Sequence, residues 1–325
     1  MEAFAYASPT TLPEALALLG DNWGEADVLA GGTDLLSLLK DYLHTPKRVV
    51  NIKSIKELSG IQKTGDGLRI GALVTLDELL ASPDVAAYPC LVTAARGVLS
   101  PQTRNMGTVG GDLCQRPRCW YFRAGFGLLA KDRGGRDLAR DGDNRYHAIF
   151  GNQTACFVSA SSFGPPLAAL DARVKLASAK GTREVPVEKF FVTPASDSER
   201  EIALAPNEIL TEILIPGGAV RSATYEVRQK ETLDWPLAAA SVALTLKGTA
   251  VGSARVFLGH VAPVPWRAAA AEKALAGRGL TTANIEKAAQ AAVEGATPLS
   301  GNAYKVQLGR AAVKRALAAI ARQKG

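Results

Sequence analysis

The sequence is poor in cysteine, histidine and methionine, and it has no long apolar run. Its 325 residues include four cysteines, three histidines and two methionines. The cysteines are too few and too irregularly spaced for a disulfide framework, and no two histidines have the spacing of a zinc site. No run of about eighteen apolar residues occurs, so we expect no membrane span.

The N-terminal segment does not have the pattern expected of a secretory signal. It has no basic region followed by an apolar core, so it does not read as a secretory signal, and we take the cytoplasm as the default compartment. Export in the folded state, together with a partner that carries the signal, would place the chain in the periplasm instead.

Charge gives little indication of a partner. The net charge is +7 and the isoelectric point is about 9.2, but the charges are spread along the chain, as on an ordinary solvated surface. They concentrate only in 305–324, where apolar residues recur at helical spacing. We predict a terminal helix packed on its own domain, with neither nucleic acid nor membrane as its partner.

Glycine, in contrast, is abundant at two places. Residues 30–34 read AGGTD and follow a predicted strand, and residues 100–122 read SPQTRNMGTVGGDLCQRPRCWYF. Glycine lets the backbone approach a ligand closely because it has no Cβ, and successive N–H groups in such turns form a concave site for phosphate oxygens. Two such turns indicate a ligand with a diphosphate and two arms, such as a dinucleotide, although each alone is also typical of an ordinary tight turn.

The first turn differs from the dinucleotide-binding fingerprint, because a third glycine and a distal acid are absent. This disfavours a Rossmann NAD site. Asp34 would repel a phosphate, so we predict that its carboxylate caps the following helix and faces away from the ligand.

Three units are predicted along the chain, at 1–60, 61–218 and 219–325. The first two read as α/β units, with helices that begin at the capping residues Thr11 and Thr75. The third reads as antiparallel strands near 223–227, 239–246 and 254–259, followed by two alanine-rich helices and the terminal helix. Pro216-Gly217-Gly218 marks the boundary before it.

Two stretches of the second unit carry weaker predictions. Residues 155–159 alternate like a strand. Residues 123–146 are polar and without periodicity, which is typical of a functional or mobile loop.

Six motifs together carry a resemblance to a known family. In order they read AGGTDLL, TRNMGTVGGDLCQRPRCWYFR, NRYHAIFG, PLAALDA, APVPWRA and PLSGNAYKVQLGRAAVKRAL. The chain resembles the FAD-binding (medium) subunits of the molybdenum hydroxylases, a family that includes xanthine dehydrogenase, and is most similar to the bacterial aldehyde oxidoreductase flavoproteins that also carry a [4Fe–4S] cluster. The resemblance implies an α+β fold: two α/β subdomains forming a PCMH-type FAD-binding domain, and a C-terminal domain of the CO dehydrogenase flavoprotein type.

The resemblance also implies a set of FAD-binding residues around the two glycine turns. No side chain is expected to act as a general acid or base. The cofactor-binding residues are Leu29, Ala30, Gly31, Gly32, Thr33, Asp34, Leu35, Thr103, Asn105, Gly107, Thr108, Gly110, Gly111, Asp112, Leu113 and Ser162.

Three positions depart from the family pattern. Asp112 replaces the usual asparagine, which would either weaken binding or leave the carboxylate solvated. Ser162 stands where an aspartate near the flavin is usual, and Glu226 stands where a lysine is common. Tyr121 and Trp235 are among the aromatics that either enter the core or contact the flavin ring.

A [4Fe–4S] cluster is not expected. Clusters of this kind need four thiolates, and only Cys114 and Cys119 match the related branch. The two further cysteines of that branch are absent, and Leu128, Leu129 and Arg136 fall near their positions. We therefore predict no metal ligands, with Cys114 and Cys119 as the candidates if a cluster is present.

The function implied is that of an electron-transfer subunit in a heterotrimer. A large molybdenum-cofactor subunit would oxidise an aldehyde or N-heterocycle, and a small [2Fe–2S] subunit would pass the electrons to FAD on this chain, which would reduce an external acceptor. Two alternatives remain: a self-sufficient FAD oxidoreductase, and an assembly or binding subunit with a decayed flavin site.

Overall fold

A computed structural model gives the structure of residues 1–98, 100–230 and 234–323. In these ranges the strands form three sheets, and helices pack on each of them. The chain thus has the mixed α and β composition that the sequence predicts. None of the helices described is both long and apolar enough to cross a membrane.

The first sheet has three parallel strands in the order β1-β3-β2. As predicted, Thr11 caps the first helix, since its hydroxyl accepts from the amide of Glu14 at 3.4 Å. The glycine turn at 31–32 follows β2 and leads into α2. The elements are β1 (Ala5–Ala7), α1 (Leu12–Ala17), β2 (Ala26–Leu29), α2 (Leu35–Lys40) and β3 (Arg48–Asn51).

The second sheet has five antiparallel strands in the order β4-β5-β8-β6-β7. Thr75 and Glu78 form the predicted capping box at the start of α3. The elements are β4 (Ile61–Thr64), β5 (Gly67–Gly71), α3 (Leu76–Ala81), α4 (Pro89–Gly97), α5 (Pro101–Met106), α6 (Val109–Cys114), α7 (Trp120–Arg123), α8 (Leu138–Asp141), α9 (Gly164–Ala169), β6 (Arg173–Ser178), β7 (Gly181–Pro186), α10 (Val187–Phe190) and β8 (Ile209–Pro216).

The prediction of a strand at 155–159 is wrong. This stretch has no ladder partner among the residues described. Instead Ala155 and Phe157 are buried against Phe122 and Leu128. The apolar alternation therefore reflects side-chain burial in an irregular segment. The segment 123–146 is largely irregular, as predicted, except for the short helix α8.

The third sheet has four antiparallel strands in the order β12-β11-β10-β9. The terminal helix is confirmed: its apolar stripe, which includes Val313, Leu317 and Ile320, is fully buried. Helices α4 and α9 pack on this sheet and join it to the second unit. The elements are β9 (Arg221–Val227), β10 (Ala238–Lys247), β11 (Ala250–Gly259), β12 (Trp266–Arg267), α11 (Ala269–Leu275), α12 (Thr282–Ala291) and α13 (Tyr304–Ala321).

Candidate functional site

The glycine turns lie on one cavity, which reaches from the first sheet to the start of β10. Its volume is about 460 Å³, within the range of small-molecule sites. Of the residues predicted for the site, those that line the cavity are Ala30, Gly31, Gly32, Thr33, Asp34, Leu35, Thr103, Gly107, Thr108, Gly111, Asp112 and Ser162.

The two turns touch each other through their backbones. A Cβ at Gly31 would stand 1.8 Å from the carbonyl oxygen of Met106 and 3.1 Å from the Cα of Gly107. Only glycine permits this approach. The first turn therefore rests directly on the segment between α5 and α6, and one ligand can reach both.

The first turn also leaves its backbone donors free. The amides of Gly31, Gly32, Thr33 and Asp34 donate to no group in the described ranges. Buried or half-buried N–H groups normally have partners, so a row of free donors beside a cavity is a ready site for anionic oxygens.

Asp34 does not cap α2, so that prediction is wrong. Its carboxylate makes no capping bond; it accepts from Arg118 Nη1 at 2.6 Å, Arg123 Nη2 at 2.8 Å and the amide of Arg116 at 2.8 Å. Burial raises the pKa of Asp34, but these donors outweigh it and hold the pKa below its ordinary value. The carboxylate is thus neutralised, and it ties the first turn to the segment after α6.

The second turn is arranged differently from the prediction. Residues 101–114 form two short helices, and Thr108 caps the second by accepting from the amide of Gly111 at 3.0 Å. The amide of Gly110 donates to Ala72 at 3.0 Å, and Gly110 is buried, so it is not available to a ligand. Gly107 and Gly111 face the cavity in its place.

Three further residues predicted for the site do not line the cavity. Leu113 is fully buried in the core of the second unit. Asn105 is exposed, and its side chain donates to the carbonyl of Pro101 at 3.0 Å. Leu29 is half-buried in β2.

Asp112 lines the cavity, but its carboxylate is not solvated, because it accepts hydrogen bonds from protein groups. One carboxylate oxygen accepts from the hydroxyl of Ser161 and from the amide of Phe163, at 2.5 and 3.0 Å; the other accepts from Gln115 Nε2 at 2.9 Å and the amide of Ser162 at 3.3 Å. The carboxylate therefore joins α6 to the start of α9. It also places a negative charge beside residue 162, where the family resemblance led us to expect an aspartate.

Replacing Asp112 with asparagine is expected to lower the free energy of unfolding by about 1–3 kcal/mol at pH 7, because the amide group would turn its NH₂ toward groups that donate. Chemical denaturation checks this. Asp66→Asn, which alters an exposed carboxylate, is the control. Equal stability of the two variants would contradict the conclusion that the carboxylate of Asp112 stabilises the contact between α6 and the start of α9.

The same variant should change the pH dependence of stability. Burial raises the pKa of Asp112 from 3.8 to about 6, against the hydroxyl of Ser161 and the amides that lower it. A raised acidic pKa means that the folded state binds the proton more tightly, so the contribution of Asp112 is complete below about pH 4 and declines as the pH rises through about 6. The stability difference between wild type and Asp112→Asn should therefore increase as the pH falls from about 6 to about 4.

At the end of the cavity near the third sheet lie Trp235, one of the aromatics singled out in the sequence, and Arg228, which the sequence did not assign. Trp235 lines the cavity and is 42% exposed, and the guanidinium of Arg118 stacks over its ring at 4.9 Å. Glu226 lies just behind, paired with the cavity-lining Arg228. Burial raises the pKa of Glu226, and Arg228 partly offsets this.

At the opposite end, a hydrogen-bonded chain runs through His44. Arg116 Nη1 lies 3.0 Å from His44 Nε2, and His44 Nδ1 lies 3.0 Å from Asp27. Because arginine can only donate, His44 must accept at Nε2 and carry its proton on Nδ1. Burial and the nearby Arg200 lower the pKa of Arg116 to about 10, although Glu201 at 2.7 Å opposes this.

The roles of Arg116, Arg118 and His44 were not predicted from the sequence because the groups that these residues contact are distant along the chain. Asp34 and Arg118 are 84 positions apart, and Arg116 and His44 are 72 apart. The cluster of three arginines in QRPRCWYFR was a visible signal. Local patterns, however, do not show which carboxylates they meet.

The cysteines do not offer the ligands of an iron–sulfur cluster. Cys114 lines the cavity, Cys119 contacts His147 Nε2 at 3.2 Å, and burial raises the pKa of both thiols, that of Cys114 to about 12. Leu128 and Leu129 belong to an apolar cluster with Phe122, and Arg136 is exposed. In the described ranges no group of three or more Cys, His, Asp or Glu could hold a metal ion.

Two family models together match nearly the whole chain. Residues 2–218 match the FAD binding domain in molybdopterin dehydrogenase, and residues 223–320 match the CO dehydrogenase flavoprotein C-terminal domain.

Similarity to individual proteins extends over the full length. The medium chain of carbon monoxide dehydrogenase from Hydrogenophaga pseudoflava is 32% identical over 97% of this chain and 96% of its own. The aldehyde oxidoreductase FAD-binding subunit PaoB of Escherichia coli (strain K12) is 32% identical over 98% of both. A solved structure of the Hydrogenophaga carbon monoxide dehydrogenase, lacking the Mo-pyranopterin moiety, aligns with a TM-score of 0.77 and 31% identity over 98% of this chain and 97% of that one.

Proposed function

Since this chain belongs to the FAD-binding subunits of the molybdenum hydroxylases, oxidoreductases that use FAD, we propose that it relays electrons between a partner subunit and an external acceptor. A small [2Fe–2S] subunit delivers the electrons. A large molybdenum-cofactor subunit oxidises the substrate, an aldehyde or an N-heterocycle. The assembly is a heterotrimer or a dimer of heterotrimers.

One observation carries the assignment of the site: the free amides of 31–34 stand on the backbone of 106–107 at the edge of a cavity of about 460 Å³. This arrangement suits a diphosphate, which needs many donors and close backbone approach. We assign the diphosphate of FAD to this place, with Gly107, Thr108 and Gly111 as the second wall.

The protein's part in the reaction is to hold and orient the cofactor. Bound FAD supplies the electron chemistry, because the isoalloxazine ring accepts and releases electrons. The ion pairs of Asp34 fix the first turn, and the bonds of Asp112 fix residues 161–163 on the facing wall. No residue of the chain has to move a proton for the relay to work.

The complex and the substrate class rest on the named relatives. These include a medium chain of carbon monoxide dehydrogenase, an aldehyde oxidoreductase subunit and a FAD-subunit of nicotinate dehydrogenase from Eubacterium barkeri. Medium chains of this kind work in assemblies of several subunits, and the full-length similarity supports the same arrangement here.

Flavin binding by the purified chain is the first test. After mixing with FAD and gel filtration, the protein should retain about one flavin per chain, seen as the visible absorption of an oxidised flavin. A colourless protein would contradict the relay and favour a decayed site.

The second test addresses the partners. Co-purification followed by metal analysis should give molybdenum and iron in fixed ratio to flavin. Oxidation of aldehydes or N-heterocycles by the flavin-loaded chain alone would instead identify a self-sufficient oxidoreductase.

A further inference from the structure

Arg118 joins parts of the cavity that are far apart in sequence. Its Nη1 donates to Asp34 at 2.6 Å and its Nη2 to Gln115 Oε1 at 2.8 Å, while the guanidinium plane lies over Trp235. It therefore links the first glycine turn, the segment after α6 and the residues before β10. A side chain with three such contacts is held in one orientation.

Some N–H hydrogens of the Arg118 guanidinium donate to no group in the described ranges. Arginine has five N–H hydrogens, and within the described ranges only one on each Nη atom is used. Nε is buried without a hydrogen-bonding partner, consistent with its guanidinium lying over the indole ring of Trp235. The side chain as a whole is 30% exposed and lines the cavity, which leaves the unused hydrogens on Nη1 and Nη2 as candidate donors to a ligand.

The local charge favours an anion. Asp34 carries one negative charge and accepts from two guanidinium groups, those of Arg118 and Arg123. The three groups together carry a net charge of about +1 next to the free amides of 31–34, and the carboxylate of Asp112, which also lines the cavity and acts on Arg118, offsets part of it. The carboxylate that would repel a phosphate instead holds a cation beside it.

Arg123 differs from Arg118 in a way that permits a test. It also donates to Asp34, at 2.8 Å, but its other bonds go to the carbonyls of Pro117 and Arg116 at 2.9 and 3.3 Å and to the hydroxyl of Ser37 at 3.5 Å. It stacks on Phe122 and does not line the cavity. Both arginines thus neutralise Asp34, and of the two Arg118 alone is placed to touch a bound ligand.

We propose that Arg118 binds the diphosphate of the cofactor directly, as a cation that Asp34 and Trp235 hold in position. The proposal rests on the proposed binding of FAD. It adds a side-chain donor to a site that otherwise consists of backbone amides, and it predicts that affinity depends on the phosphates more than on the flavin ring.

Truncated ligands separate these contributions. ADP has the diphosphate without the flavin, and riboflavin has the ring without phosphate. Calorimetric titration of the FAD-free chain with FAD, ADP and riboflavin gives the three affinities. Arg118→Ala should weaken FAD and ADP about 10- to 100-fold, the range for a lost charge-assisted hydrogen bond, and should leave riboflavin within about threefold.

Arg123→Ala is the matched control, because it removes the other ion pair of Asp34. We expect it to weaken ADP clearly less than Arg118→Ala does, because Arg123 does not line the cavity and Arg118 still pairs with Asp34. Arg118→Lys, which keeps the charge but loses the planar fork, should be intermediate. Equal loss of ADP affinity in Arg118→Ala and Arg123→Ala would overturn direct contact. If the wild-type chain bound ADP but not FAD, or neither ligand, the proposed function itself would fail.

Thermal unfolding of each variant shows whether it is folded before titration. Should Arg118→Ala fail to fold, Arg118→Gln, which keeps most of the side chain and one hydrogen-bonding amide, replaces it with the same expected pattern. An unchanged ADP affinity in that folded variant would likewise refute the contact.

Discussion

Replacing Lys305 with methionine is expected to lower the free energy of unfolding by about 2–5 kcal/mol, because each buried acceptor left without its donor costs about 1–3 kcal/mol. Lys305 is 1% exposed, and its Nζ donates to the carbonyls of Tyr146, His147 and His260 at 3.0, 3.1 and 2.7 Å. Methionine fills the same space but leaves the carbonyls of Tyr146 and His260 without this donor, while the carbonyl of His147 still accepts from Asn302 Nδ2 at 3.1 Å. Equilibrium denaturation of the two proteins measures the difference.

The ammonium form suits this place, although burial lowers the pKa of Lys305 to about 7. A neutral amine has two N–H groups and cannot serve three carbonyls, so the acceptors oppose the effect of burial. Lys314→Met, on the same helix and half exposed beside Glu286, should cost less than about 1 kcal/mol. A similar loss in both variants would show that the carbonyl contacts of Lys305 contribute nothing special.

Replacing Gly31 with alanine is expected to abolish retention of FAD and to lower stability by about 1–3 kcal/mol, as overpacking does. The added Cβ would stand 1.8 Å from the oxygen and 2.7 Å from the carbon of the Met106 carbonyl. These are backbone atoms, which no change of rotamer can remove. The two turns must therefore separate, and the free amides lose their place beside Gly107.

Gel filtration after FAD loading, with flavin absorbance read against protein, checks this expectation. Gly65→Ala is the control, because a Cβ there meets no atom within 4 Å. One flavin per chain in Gly31→Ala would refute the assignment of the diphosphate to the contact between the turns.

Local signals in the sequence were enough for several elements. Thr11 and the pair Thr75–Glu78 mark the starts of helices, because their capping hydrogen bonds join residues only three positions apart. The terminal helix was predicted from the helical spacing of its apolar residues alone, because a helix with one apolar face is stable when that face is buried against the protein. The glycine turns were also predicted from local sequence, because glycine is the residue that permits close approach of the backbone.

The chemistry around the turns was beyond such signals. The role predicted for Asp34 was a local cap, yet its partners lie 82 to 89 positions away. Asp112 was expected to weaken the site or to be solvated, and only the fold reveals that residues 161–163 supply its donors. In both cases most of the donors to the carboxylate are distant in the sequence, and local patterns do not identify them.

The spread of the cavity along the chain has a consequence for biosynthesis. Its lining includes residues from 30–35, from 103–118, Ser162, Arg228 and 234–236, so these distant parts of the chain must be synthesised and docked before the cavity is complete. Contacts of such long range form late, because the entropy of closing long loops is lost before they stabilise the structure. We therefore expect flavin capture to be a late step of maturation, because the cavity is complete only after Arg228 and residues 234–236 have joined the glycine turns.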